Sequence, residues 1–272
     1  MGTTIRRVLG GLCCLVVVLA AGCGDDDDAA SSTSSTAGDC PGWPQCDTVD
    51  GTVTVFAAAS LTDAFGEAAD EFMADNPDVT VELNLAGSSA LREQILAGAP
   101  SDVFASANLS NMDQVVGGGA ADESDVFAIN SLEIVVPAGN PGEVDGLDDF
   151  ADPDLLIGLC APEVPCGEFG REALANAGVT PAQDTDEPDV RSLLTKVSEG
   201  ELDAGLVYRS DVLAAGDAVE GIEVPEDDNV VTEYPIAVLT ESRNAEAAGA
   251  FVAFLLGDEG QAILEAWGFG PA

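Results

Sequence analysis

Four short turns in this chain carry residue types that can hold an anion without a cation. They are Ala57-Ala58-Ala59-Ser60-Leu61-Thr62-Asp63, Ala86-Gly87-Ser88-Ser89, Pro165-Cys166-Gly167 and Pro188-Asp189-Val190-Arg191. Each ends a strand-like run or opens a helical one with small or hydroxyl residues. Such turns present backbone N–H groups that lack an intrahelical partner, beside the positive end of a helix dipole. Ser60 is placed to cap the helix after it, with Asp63 three residues on as a capping-box partner. One serine cap is ordinary. Several in one chain suggest donors converging on an oxyanion, where each hydrogen bond to a charged acceptor contributes about 1.5–3 kcal/mol.

Other chemistries have little to draw on. The 272 residues hold 50 Asp plus Glu against 8 Lys plus Arg, a formal net charge of −42, and no histidine. That excludes a Ser-His-Asp triad, a histidine zinc site and an imidazole general base. Nucleic acid and anionic membrane surfaces are excluded as partners, since each phosphate contact needs a cation. Lys196 is the only lysine, and no serine stands three residues before it. Neither G-x-x-x-x-G-K-[ST] nor a post-strand G-x-G-x-x-G occurs. Carboxylate pairs abound, but none is singled out as an acid/base dyad. A ferric site needs tyrosine pairs or histidine, and Tyr208 and Tyr234 stand far apart along the chain. The expectation is a binding protein, not an enzyme, with no cofactor and no metal cation.

Residues 1–22 have the form of an export signal. Arg6-Arg7 precede an uncharged run from Val8 to Ala21 that is short for a bilayer span, and Ala20-Ala21-Gly22 lead into Cys23. This resembles a lipoprotein signal, which makes Cys23 the lipid-bearing residue and places the protein outside the cytoplasm on a membrane anchor. Residues 23–51 then form an acidic and Ser/Thr-rich tether; Asp25–Asp28 lack the spacing, glycine and distal Glu of a calcium loop. Beyond Cys23 four cysteines remain, Cys40/Cys46 and Cys160/Cys166, in two pairs of equal spacing. Outside the cytoplasm an even remainder suggests two small disulfide loops; a four-cysteine metal site would have closer spacing.

The elements that position the turns alternate in type. Thr52–Ala58 reads as a buried strand, and Leu61–Met73 as a helix with Leu61, Ala64, Phe65, Ala68, Ala69 and Phe72 on one face. Strand-like runs recur at 79–85, 102–106, 132–136, 155–159, 205–208 and 234–239, with helical runs between most of them. The pattern predicts an α/β fold with parallel sheets covered on both faces. Ligands in such folds sit beyond the carboxyl ends of strands, at helix N-termini.

The strings VTVFAAASLTDAF, AGSSALREQILAGAPSDVFASA, NSLEIVVPAGNP, GLVYRSDV, EYPIAVL and the closing AWGF resemble the molybdate-binding proteins of ABC importers. The resemblance runs in order from about Thr52 to Phe269. It implies a two-lobed periplasmic-binding-protein fold of type II, with two crossover strands at the hinge. Residues 52–130 plus 234–272 would form one lobe and 131–233 the other, the chain acting as a monomer that hands its cargo to a membrane permease. The resemblance also implies the site. Ser60 and Ser88 would supply hydroxyl and backbone donors, Cys166 and Val190 backbone N–H groups, and Tyr208 a closing hydroxyl, all to molybdate or tungstate. Cys166 stands where the family has a small residue. Sulfate and phosphate are the alternative oxyanions.

Overall fold

The computed structural model describes residues 49–272. The expected signal and Cys23, Cys40 and Cys46 lie outside the described residues, and the first strand takes in Gly51 from the end of the expected tether.

The first strand, β1 (Gly51–Ala58), is a β-branched and small-residue run buried over its last four residues. It leads through a tight turn at Ala59–Leu61 into α1 (Thr62–Asp75), which buries Ala64, Phe65, Ala68, Ala69 and Phe72. Then follow β2 (Val79–Ala86), α2 (Ser88–Leu96), β3 (Val103–Ala105) and α3 (Leu109–Gly117). β4 (Asp125–Pro137) is followed by β5 (Ile157–Cys160), α4 (Pro165–Asn176), β6 (Thr185–Glu187), α5 (Val190–Ser198), β7 (Ala204–Tyr208), α6 (Arg209–Ala215) and β8 (Val219–Glu223). β9 (Val231–Val238), α7 (Ala245–Leu256) and α8 (Asp258–Ala266) close the chain.

The strands form a continuous curled array in the order β2-β1-β3-β9-β4-β7-β5-β6, with β8 also on β4. The expectation of parallel sheets holds for β1 with β2 and β3, and for β5 with β6 and β7. It fails around β4 and β9, which run antiparallel to their neighbours. β4 explains the difference. Its first part, Asp125–Ser131, pairs with β9, and its second, Leu132–Pro137, pairs with β7 and β8. Only the second part is apolar enough to read as a strand, so the sequence pattern shows half of an element that passes from one sheet to the next.

Two large cores flank this passage. One gathers Val53, Val55, Phe65, Phe72, Val103, Phe127, Tyr234, Phe251 and Phe269. Its aromatic rings meet edge to face, Phe72 on Phe251 and Tyr234 on Phe269 both at 5.3 Å between centroids. The other gathers Leu132, Ile134, Phe150, Ile157, Leu159, Leu193, Val197, Leu206 and Val207. A smaller cluster with Phe104, Leu91 and Met112 fills the space under α2 and α3. The fold is two-lobed, with β4 and β9 joining the lobes.

Candidate functional site

Five strands end at one place between the cores. The carboxyl ends of β1, β2, β5, β6 and β7 feed the turns at Ala58–Ser60, Gly87–Ser88, Val164–Cys166, Asp189–Val190 and Tyr208, and all of these line one cavity with Ala107. The cavity volume is about 10 Å³, far below the ~300–1,000 Å³ of sites for drug-sized molecules. Ser60, Ser88, Cys166, Val190 and Tyr208, far apart in sequence, are thus brought together.

Each turn delivers a helix N-terminus. Ser88 is the first residue of α2, Val190 the first of α5, and Cys166 the second of α4 after Pro165. A proline at that point costs nothing, because its missing N–H would have had no partner inside the helix. Asp189 caps α5 by accepting from the Ser192 N–H at 2.9 Å and the Ser192 hydroxyl at 3.1 Å. Its carboxylate oxygens are therefore engaged with α5. Among the described residues lining the cavity there is no lysine or arginine. Apart from the Asp189 carboxylate, the lining offers neutral donors and partial positive helix ends.

The hydroxyls are held individually. Ser88 Oγ accepts the Ala107 N–H at 3.0 Å, which leaves the serine proton to donate elsewhere. Ser60 Oγ lies 2.9 Å from the Tyr234 hydroxyl. This corrects the capping-box expectation: Ser60 sits in the tight turn before α1, makes no cap to it, and Leu61 precedes the helix instead. Tyr208, 1% exposed, has a hydroxyl with no hydrogen-bond partner. A buried, unpaired donor at the wall of a small cavity is uncommon and calls for a ligand.

Both tyrosines stay protonated. Burial pushes the Tyr208 hydroxyl well above its ordinary pKa, with Tyr234, Asp211 and Glu168 adding to the rise. Burial likewise raises Tyr234, against the opposing effect of its bond with Ser60. The fold also revises the reading that these residues stand apart, since 26 positions of chain fold back and set the rings 6.0 Å from each other. Without a bound cation the two remain phenols, which are donors.

Close approach shapes the remaining wall. A Cβ on Gly167 would lie 1.9 Å from the Ala161 carbonyl oxygen, so only glycine lets the start of α4 seat against the β5 end. The Cys160–Cys166 disulfide ties the same turn, with 5.7 Å between the Cα atoms. A Cβ on Gly87 would lie 2.9 Å from the Pro188 carbonyl oxygen, across the cavity.

Three contributors were missed by sequence reasoning. Ala107 and Tyr234 hold the two serines, and Asp211 accepts the Tyr208 N–H at 3.1 Å. Tyr234 carried a signal, being one of only two tyrosines; an alanine that acts through its backbone carries none.

A family model described as bacterial extracellular solute-binding protein matches residues 53–270. The molybdate-binding protein ModA of Mycobacterium tuberculosis is 40% identical over 219 residues, covering 80% of this chain and 84% of that one. Among solved structures, the periplasmic molybdate-binding protein of Azotobacter vinelandii superposes with a TM-score of 0.73 at 20% identity, covering 81% of this chain and 99% of that chain. The sulfate-binding protein SubI of M. tuberculosis also superposes at 0.73 and 20% identity, over 81% and 87%. At that identity the two structures bear on the fold alone.

Proposed function

Because the chain belongs to the bacterial extracellular solute-binding proteins, and within them to the ModA family, we propose that it captures molybdate or tungstate outside the cytoplasm for an ABC permease. The observation that carries this reading is the convergence of five strand ends on one small cation-free cavity with an unpaired tyrosine hydroxyl. Ser60, Ser88 and Tyr208 would donate through side chains, and Cys166 and Val190 through backbone N–H groups. Donor chemistry separates the candidate oxyanions. Phosphate near neutral pH carries a proton that needs an acceptor, whereas the Asp189 carboxylate is engaged with Ser192. A fully deprotonated tetrahedral dianion fits a donor-only shell. SubI's fold keeps sulfate as the second reading, and ion size then decides.

The remaining parts of the proposal follow the chain. Residues 1–22 direct export, Cys23 carries the lipid, and residues up to 51 hold the protein off the membrane. Lobe 1 comprises 52–130 with 234–272, lobe 2 comprises 131–233, and the two close as a monomer around the ion by hinge motion. The reading is of a binding protein, not an enzyme. Isothermal titration with molybdate, tungstate, sulfate and phosphate tests the function. Molybdate and tungstate are expected to bind at least tenfold tighter than sulfate, with phosphate weakest; equal affinity for molybdate and sulfate would overturn the assignment.

A further inference from the structure

Arg191 is oddly placed. It is the second residue of α5, beside Val190 at the cavity, where a cation opposes the helix dipole. The opposing charge comes from the other side of the cleft. Asp63, in the first turn of α1, reaches Arg191 Nη1 with Oδ2 at 2.9 Å. Both side chains are about 30% exposed, and Asp211 Oδ1 lies 3.9 Å from the same nitrogen. α1 belongs to the first core and α5 to the second, so this ion pair joins the two lobes. A second cross-lobe contact runs from Asn108 Nδ2 to Glu168 Oε2 at 3.1 Å. The backbone at Gly87 meets Pro188 closely enough that any Cβ would force the two sides apart.

We propose that Asp63 and Arg191 form a clasp across the cleft that holds the closed form and sets the rate at which the bound oxyanion leaves. This rests on the proposed function for the identity of the ligand. Neither residue lines the cavity; both act as positioning residues. The clasp also accounts for a cation near an anion site that does not line it, since Arg191 Nη1 lies within ion-pair distance of Asp63 and Asp211, without a hydrogen bond to either.

The test compares wild type, Asp63→Asn, Arg191→Gln, the double variant and Gly87→Ala, with release of molybdate followed by stopped flow. Asp63→Asn is expected to raise the release rate about three- to tenfold with the association rate within about twofold, as expected of a partly exposed cross-lobe pair. The double variant should be no faster than the worse single one, because the two residues share one interaction. Raising salt should speed release in wild type and leave Asp63→Asn nearly unchanged. Thermal unfolding of Asp63→Asn and Gly87→Ala should remain cooperative, which shows that both variants fold. Gly87→Ala, whose φ of −58° suits alanine, should release faster by propping the cleft. Release from Asp63→Asn at the wild-type rate, or additive effects in the double variant, would overturn the clasp. Absence of binding by wild type to any of the four oxyanions would overturn the function instead. The clasp is then read by small-angle scattering, where a larger radius of gyration in Asp63→Asn supports it and an unchanged one overturns it.

Discussion

At the scale of single residues, the site separates groups needed for the ligand from groups needed for the fold. The Tyr208 hydroxyl has no partner in the protein, so Tyr208→Phe should cost little stability. Titration should nevertheless show affinity lower by roughly tenfold or more, the value of one hydrogen bond to a charged acceptor. Ser88→Ala behaves differently, because it also strands the Ala107 N–H; both the melting temperature and the affinity should fall. Asp211 gives the site a pH response. Burial raises its carboxyl from 3.8 to about 7, against the lowering effects of the Tyr208 N–H and Arg191. Between those values the unfolded chain releases this proton while the folded chain keeps it. The group's contribution therefore falls as pH rises from about 4 to 7 and levels above 7. Asp211→Asn should flatten that slope in denaturation measured across the window. Above pH 7 the ionised carboxylate should also weaken oxyanion binding in wild type and not in Asp211→Asn. The turns that carry the serines, Cys166 and Val190 were legible from residue types, and Tyr208 through the family resemblance; all five line the cavity. Asp63 was legible as a residue of note, but as a capping-box partner, whereas it pairs with Arg191: whether a first-turn carboxylate bonds backward to its own turn or across a cleft depends on what lies opposite.

At the scale of elements, strand ends and helix starts could be placed within a few residues because apolar runs alternate with turn residues. What escaped was β4, whose first part alternates weakly and whose second is apolar; pairing partners, not local pattern, decide that it runs through both sheets. The start of α4 shows why local geometry matters for binding. Pro165, the Gly167 contact and the Cys160–Cys166 bond together fix the turn that presents the Cys166 N–H. Reduction frees that turn and exposes a thiol at a helix N-terminus, a position that favours the thiolate. A thiolate at the wall of this cavity would repel the proposed oxyanion. Titration in the presence of reductant should show affinity reduced several-fold, and Cys160→Ala/Cys166→Ala should lose affinity without further sensitivity to reductant.

At the scale of the whole molecule, the −42 formal charge and the reading as an anion receptor are compatible. Surface charge is screened over about 8–10 Å at moderate salt, whereas helix ends and hydroxyls act at contact distance inside the cleft. The field of the whole protein should still oppose approach: association of molybdate is expected to slow as ionic strength falls. Stopped flow over a salt series checks this, and an association rate that rises at low salt would contradict it. The order of the strands has another consequence. β9 lies between β3 and β4, and α7 and α8 complete the first core. The sheet that begins the folded part thus lacks the strand between β3 and β4 until residues after Val231 have been made. Such long-range closure slows folding, which leaves the unfinished first lobe open for much of synthesis.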